Sequence, residues 1–207
     1  MLKRLNPLHE YFLLHLNIVV RLLILSDVVW MGALGFLSPI FAIFILDNIK
    51  GGNEAVVGVA ASIYLVTKSL MQIPAAAIID RIRGEKDDFW IMFIGSLMGA
   101  SIPLSYLFIH TPIQLYITQF VLGVVIAFTF PSYMAIFTRH IDKKREGTDW
   151  GIYFTLTDLS SAATAAIGGV MAATLGYHAV IFTMVAISLF GACALFPIRK
   201  HLIRTPR

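Results

Sequence analysis

Residues 22–46 read LLILSDVVWMGALGFLSPIFAIFIL, a run of twenty-five residues whose one charged side chain is Asp27. An α-helix rises about 1.5 Å per residue, so about 20 apolar residues cross the roughly 30 Å of hydrocarbon in a bilayer. This stretch is therefore predicted to be a transmembrane helix, and it indicates the fold class of the chain.

Five further stretches of the same character follow, at residues 54–79, 89–108, 113–138, 150–174 and 177–197. The chain of 207 residues is 58% hydrophobic and 14% charged, whereas soluble domains are usually about 45–50% apolar. We therefore predict an all-α integral membrane protein with a six-helix transmembrane bundle at 22–197. An amphipathic cytoplasmic lead-in at 1–21 and a basic cytoplasmic tail at 198–207 are expected to flank it.

Basic residues are concentrated on one side of the six predicted spans. Fourteen of the sixteen Lys and Arg fall before the first span, in the second and fourth loops, or in the tail, whereas Lys50 lies in an opposite loop and Lys68 within a span. Lys and Arg favour cytoplasmic loops, so both termini are predicted to be cytoplasmic in a cell membrane, the plasma or inner membrane. The same clustering explains the net charge of +4, so no nucleic-acid partner is predicted.

Three ionisable residues fall inside the predicted spans: Asp27, Lys68 and Asp158. An ionisable group at membrane depth costs at least a few kcal/mol, which makes such residues functional candidates. In one interpretation the three line a central cavity, where a carboxylate takes up a proton or cation and Lys68 holds an anionic group of the substrate. The alternative is a buried ion pair of Lys68 with a carboxylate. Gln72 and Gln119 are weaker candidates for the same cavity.

The common enzymatic motifs are absent from the sequence. It contains no Gly-x-Ser-x-Gly elbow, no His-Glu-x-x-His pair and no Gly-x-x-x-x-Gly-Lys-Ser/Thr loop. The histidines fall at span ends or outside the spans, which argues against paired haem ligands, and the single cysteine, Cys193, is too few for a Cys-based metal site. We therefore predict no enzymatic activity, no cofactor and no metal.

The loop after the second predicted span, residues 76–86, reads AAIIDRIRGEK. It resembles the signature loop of the major facilitator superfamily, Gly-x-x-x-Asp-Arg-x-Gly-Arg-Arg/Lys, with alanine in place of the first glycine. Asp80 and Arg81 match directly, and Gly84 and Lys86 match when one residue is inserted. The resemblance implies that these four residues form a cytoplasmic gating loop.

Two other patterns are similar to those of the family. Gln119-x-x-x-Gly123 stands in the fourth span where family members often carry Arg-x-x-x-Gly, so proton coupling through that arginine is not expected. In the fifth span, Ser160-x-x-x-Thr164-Ala165-x-x-Gly168-Gly169 keeps the small residues of the antiporter motif but lacks its proline. Gly123, Gly168 and Gly169 are accordingly expected at contacts between helices.

The resemblance covers the N-terminal six-helix half of the family fold, which consists of two three-helix inverted repeats. It implies a transporter that moves a small solute, with or without a coupling ion, by alternating access. A single half cannot enclose the central cavity, so a homodimer or a second six-helix half is expected. Two alternatives stay open: a non-transporting six-helix accessory or assembly subunit, and a fragment of a longer transporter.

Overall fold

The structure, a computed structural model, describes Leu13, residues 16–82 and residues 84–202. This part of the chain has no strand and contains six helical spans that are long and apolar enough to cross a membrane. In chain order, the first to sixth spans are Ile18–Asn48, Glu54–Arg81, Glu85–Leu107, Pro112–His140, Glu146–Leu175 and Tyr177–Lys200. The predicted fold class is confirmed. Most of the predicted lead-in, the end of the basic tail and Arg83 lie outside the described residues.

Several spans begin before the apolar stretches that predicted them. The first begins at Ile18 instead of residue 22, and the side chain of Asn17 caps it by accepting a 2.9 Å hydrogen bond from the Val19 amide. The third begins at Glu85 instead of residue 89, and the fifth at Glu146 instead of residue 150. Acidic residues are stabilised in the first turn of a helix by its dipole. Helix formation therefore continues into charged sequence that a count of apolar residues excludes.

Three spans change from α-helix to 3₁₀-helix where a proline enters. The α-helical segments are Ile18–Gly35, Phe41–Asn48, Glu54–Arg81, Glu85–Ser101, Pro112–His140, Glu146–Leu175 and Tyr177–Cys193. The 3₁₀ segments are Ser38–Ile40, Ile102–Leu107 and Phe196–Lys200, and each has proline among its first residues. Proline lacks an N–H and clashes with the preceding helical turn, so it interrupts the regular ladder. Pro74 and Pro131 instead lie within continuous helices.

The six spans pack as two interlocked groups of three. The first span packs mainly against the fifth and sixth, whereas the fourth packs mainly against the second and third. The third and sixth spans contact each other and complete the bundle. Each group of three thus places its first helix between the second and third helices of the other group, as the expected pair of three-helix repeats requires.

Small residues permit close approach at equivalent crossings in the two groups. Where the first span meets the fifth, a side chain added to Gly35 would collide with Thr164. Where the fourth span meets the second, a Cβ added to Gly123 would lie 2.9 Å from the carbonyl oxygen of Tyr64. Small residues of this kind let transmembrane helices approach until their backbones touch.

The second and fifth spans form the edges of an open face. Only 17% and 11% of the residues in their most apolar stretches are buried, compared with 33–44% in the other four spans. Each of these two spans packs mainly against one neighbour, the fourth and the first span respectively. The bundle therefore leaves the second and fifth spans more exposed than the other four.

Candidate solute cavity

A cavity of about 210 Å³ lies among the first five spans. Its walls are mostly apolar and aromatic, and one carboxylate and one amine are among the residues that line it. The lining residues that concern its chemistry are Asp27, Trp30, Tyr64, Lys68, Phe130, Tyr133 and Tyr153. An apolar cleft with a few convergent polar groups is the usual form of a small-molecule site.

Asp27 is held in place by the fifth span. The hydroxyl of Tyr153 donates a 2.6 Å hydrogen bond to Oδ2 of Asp27. The ring of Tyr133, on the fourth span, lies 6.0 Å from the ring of Tyr153, and its own hydroxyl is buried without a hydrogen-bond partner in the described part of the chain. The acidic end of the cavity therefore contains one hydroxyl that is hydrogen-bonded and one that is buried without a hydrogen bond among the described residues.

Lys68 lies on the second span at the other polar position of the cavity. Its ammonium nitrogen is 5.3 Å from the centroid of the Phe130 ring, within the range of a cation–π interaction. Among the described residues it forms no ion pair with a carboxylate. The structure therefore brings Asp27 and Lys68 into one cavity without joining them, and the alternative of a buried Lys68–carboxylate pair is not what this part of the chain forms.

Both charges lie at membrane depth. Asp27 is nine residues from the start of the first span at Ile18, and Lys68 is thirteen residues from the end of the second span at Arg81, on the same side of the bundle. At 1.5 Å per residue, these positions are about 14 Å and about 20 Å from that side. The two groups are thus offset by about 6 Å along the helix axes.

The other three cavity candidates lie elsewhere. Asp158 is exposed on the fifth span and does not line this cavity. Gln72 lines a separate open groove of about 650 Å³, which Asp80 also borders. Gln119 is only 5% exposed, and its amide donates a 3.4 Å hydrogen bond to the hydroxyl of Tyr106 on the third span. Gln119 thus makes a packing contact with the third span, and a role for it in the cavity stays a prediction.

The gating role expected for the loop after the second span stays a prediction, and its four named residues are placed as follows. Asp80, Arg81 and Lys86 are exposed, and none of them takes part in an ion pair among the described residues. Gly84 precedes the third span, and its carbonyl oxygen accepts hydrogen bonds from the amides of Asp87 and Asp88, at 3.1 and 3.3 Å. These groups therefore remain available for contacts outside the bundle.

An ion pair that the sequence analysis did not single out joins the third and fourth spans. Arg139, near the end of the fourth span, pairs with Asp88, whose side chain is fully buried near the start of the third. Beside it, Nε2 of His140 lies 3.8 Å from Oε2 of Glu85. The signal in the sequence was the match of acidic residues that open one span with the Arg-His that closes the next.

The three glycines expected at helix contacts differ in how closely other helices approach them. Gly123 packs tightly against the second span, and a side chain at Gly168 would collide with the backbone carbonyl of Phe36 in the first span. A Cβ at Gly169 would meet nothing within 4 Å, because this residue lies on another side of the helix. Within the described bundle Gly169 therefore has no close helix contact, and its packing role stays a prediction.

The aromatic residues of the cavity were also not predicted as site residues. Tyr133 and Tyr153 lie at its acidic end, and Trp30 forms part of its wall, while the indole N–H of Trp30 donates to the carbonyl oxygen of Ser96 at 3.2 Å. Tyrosine and tryptophan are common in membrane helices, so their presence in the sequence does not distinguish a cavity wall from an interface anchor.

Comparisons with known proteins agree with this architecture. The family model described as Major Facilitator Superfamily matches residues 23–207. Multidrug resistance protein MdtG of Klebsiella pneumoniae (strain 342) is 24% identical over 181 residues, which cover 85% of this chain and 42% of that protein. The chain thus spans about two-fifths of the length of this curated relative.

Proposed function

The chain belongs to the major facilitator superfamily, and we propose that it forms one six-helix half of a secondary transporter that moves a small solute by alternating access. It is a multi-pass membrane protein whose family acts in transmembrane transport. In the proposal, the cavity among the first five spans is the part of the substrate site that this half contributes. A second half supplies the remaining wall.

The observation that carries this proposal is the pair of opposite charges, Asp27 and Lys68, in one cavity at membrane depth. Two groups that bear opposite charge at such depth would normally pair to reduce their desolvation cost. Here each keeps a different contact, Asp27 with Tyr153 and Lys68 with the Phe130 ring. That arrangement suits a site in which charged groups of a bound solute supply the counter-charges for Asp27 and Lys68.

The open face supports the need for a second half. Asp158 is exposed on the fifth span, twelve residues from its start at Glu146 and thus about 18 Å into the membrane. A carboxylate at that depth is unfavourable against lipid, so this face meets protein or a water-filled path. The cavity of about 210 Å³ is also smaller than the roughly 300–1,000 Å³ usual for drug-sized ligands, as expected for a partial site.

The partner in this proposal is a second copy of the chain or a separate six-helix half. In this proposal both termini are cytoplasmic, as the distribution of Lys and Arg predicts, and the loop with Asp80, Arg81, Gly84 and Lys86 lies on the same side. Because Asp80, Arg81 and Lys86 form no ion pair among the described residues, these three side chains can latch against the second half when the cytoplasmic side closes.

The printed name of the relative concerns multidrug resistance, which favours a small organic molecule as the transported solute. Asp27 is the group placed to bind a cationic part of that solute or a coupling ion. Lys68 is placed to bind an anionic part. These roles extend the transporter assignment to residues and remain proposals for this chain.

A second candidate follows from the length comparison. Because the chain spans 42% of the relative, it is also suited to be one segment of a longer transporter, or an accessory six-helix subunit without transport of its own. Both share every helix in the bundle with the main proposal. They differ from it because neither expects the chain to transport a solute when it is the only protein in the membrane, whereas the main proposal allows transport by two copies of the chain.

Uptake of labelled organic solutes into proteoliposomes that contain the full chain tests the proposal. We expect saturable uptake that falls at least tenfold in Asp27→Asn and in Lys68→Met. Asp47→Asn is the matched control, because Asp47 lies at the opposite end of the first span, outside the cavity, and accepts a hydrogen bond from Tyr177. Absence of uptake both by the chain alone and by the chain with a second six-helix half added would contradict the proposal and favour an accessory subunit without transport of its own.

A further inference from the structure

We propose that the cavity selects a zwitterion, an organic molecule whose ammonium group lies at Asp27 and Tyr133 and whose anionic group lies at Lys68. The inference rests on the proposed function and names the class of solute for the same site. It depends on three features: an available hydroxyl beside a carboxylate, an ammonium without an anionic partner, and an aromatic wall between them.

The first feature is the acidic end of the cavity. Oδ2 of Asp27 accepts the hydrogen bond of Tyr153, whereas no donor bonds to Oδ1 within the described residues. The hydroxyl of Tyr133 is buried, in a residue that is 6% exposed, and it has no hydrogen-bond partner there. A buried hydroxyl left unpaired is unfavourable. A ligand ammonium has N–H donors for both the free carboxylate oxygen and this hydroxyl.

The second feature is the basic end. Lys68 carries three N–H donors, and its described contact is with the face of the Phe130 ring. A cation–π contact leaves those donors free for an anion. Tyr64 lies on the same helix one turn away and lines the same cavity. This end therefore offers a positive charge to a carboxylate, sulfonate or phosphate group.

The third feature is the wall. Trp30 lines the cavity, and its indole N–H already donates to the carbonyl oxygen of Ser96, so the polar group of this wall residue is satisfied. The remaining lining is largely aliphatic and aromatic. The charged groups are offset by about 6 Å along the helix axes, so the two charges of the ligand must be separated, and an apolar or aromatic body between them would match this wall.

A ligand with only one charge would leave half of the site unsatisfied. A simple cation would satisfy Asp27 but would place its charge in the same cavity as Lys68 without a counter-charge for the lysine. A simple anion would do the reverse. A charge that is buried without its partner is strongly unfavourable in a membrane, so a molecule with both charges has the advantage over either.

A matched ligand series tests this selectivity on the unmodified full chain in lipid nanodiscs. The probes are para-piperazinylbenzoate, which is a zwitterion, its methyl ester, which is only a cation, and its N-acetyl derivative, which is only an anion. Isothermal titration calorimetry is expected to give a dissociation constant at least tenfold lower for the zwitterion than for either derivative. An ester or N-acetyl derivative that binds as tightly as the zwitterion, or a zwitterion that does not bind, overturns the inference.

Substitutions assign each charge to its end of the ligand. In Lys68→Met the zwitterion and the ester should bind equally, whereas in Asp27→Asn the zwitterion and the N-acetyl derivative should bind equally. Tyr133→Phe should weaken the zwitterion and the ester together and leave the N-acetyl derivative unchanged. Asp47→Asn and Lys50→Gln make the same charge changes outside the cavity and should leave all three affinities unchanged. A preference for the zwitterion that survives in Lys68→Met contradicts the assignment.

Parallel uptake measurements separate this inference from the proposed function. If the zwitterion is preferred in binding but no solute is taken up, the transport proposal fails while the inference on the site stands. If the cationic ester is taken up and the zwitterion has no advantage in binding, transport stands and the inference is overturned.

Discussion

The hydroxyl of Tyr153 donates a 2.6 Å hydrogen bond to Asp27, which joins the fifth span to the first beside the cavity. A carboxylate at membrane depth needs such a donor, because no water in the bilayer core replaces it. The same bond fixes the orientation of the Asp27 side chain. It leaves the second carboxylate oxygen, Oδ1, without a hydrogen bond among the described residues. One contact thus serves both the stability of the bundle and the geometry of the site.

We therefore expect Tyr153→Phe to lower thermal stability. Hydrogen bonds to charged groups contribute about 1.5–3 kcal/mol, and about 1 kcal/mol moves the melting temperature by roughly 2–4 °C in a chain of this size. The predicted loss is about 3 °C or more, measured by thermal unfolding in mild detergent. Tyr116→Phe is the control, since no hydrogen bond involves the Tyr116 hydroxyl within the described residues. Equal losses in both variants would contradict the role given to Tyr153.

The Asp88–Arg139 pair should respond asymmetrically to substitution. Asp88 has a fully buried side chain, whereas the side chain of Arg139 is 40% exposed. Arg139→Gln leaves a buried carboxylate without its counter-charge, but Asp88→Asn leaves an arginine that still reaches solvent. Arg139→Gln is expected to lower the melting temperature more than Asp88→Asn.

The double variant completes the test of this pair. Its loss of stability should be smaller than the sum of the two single losses, by about 1 kcal/mol or more, because the two residues share one interaction. Arg81→Gln removes an exposed arginine on the same side of the bundle and should change the melting temperature little. Additive losses would show that Asp88 and Arg139 contribute independently.

Adjacent glycines in the fifth span provide a test of close helix packing. Gly168→Ala places a methyl group against the backbone carbonyl of Phe36, which cannot move aside without shifting the first span. The same change at Gly169 meets open space and improves helix propensity. We expect Gly168→Ala to lower the melting temperature by several degrees and Gly169→Ala to leave it unchanged or raise it. Similar effects of the two changes would argue against the contact.

Removal of a threonine hydroxyl from the fifth span should cost more stability where the hydroxyl donates to another helix than where it donates within its own. Thr164 donates across the interface to the carbonyl oxygen of Gly32 at 2.5 Å, whereas Thr174 donates within its own helix to Val170 at 2.8 Å. Hydrogen bonds between transmembrane helices are worth about 0.6 kcal/mol on average and about 1.7 at most. Thr164→Val should therefore destabilise the bundle by an amount in that range. Thr174→Val should have a smaller effect on the unfolding temperature.

The sequence was sufficient to predict the six spans, because the length of an apolar run directly measures whether a helix crosses a bilayer. It also identified the charged residues at membrane depth, since their cost does not depend on how the helices pack. The depth of a residue in the membrane, however, does not determine in which direction its side chain points around the helix axis. Asp158 follows Tyr153 by five residues, about 140° around an ideal helix, so it faces away when Tyr153 faces Asp27.

Contacts between spans were less predictable for the same reason. The side chain of Gln119 could face the cavity or the third span, and only the packing of the fourth span against the third directs it to Tyr106. Likewise, Asp88 and Arg139 are 51 positions apart, and neither belongs to a motif that links them. Such pairs follow from the rotation and register of neighbouring helices, which apolar periodicity fixes poorly in spans that are hydrophobic on every side.

The most direct test of the proposed half-transporter is the mass of the assembly in proteoliposomes that support solute uptake, determined by native mass spectrometry after gentle release. The account predicts either twice the 22.9 kDa mass of this chain or one copy together with a second six-helix protein. Uptake should be lost when that assembly is dissociated. A preparation that transports solute as a strict 22.9 kDa monomer would contradict the requirement for a second half.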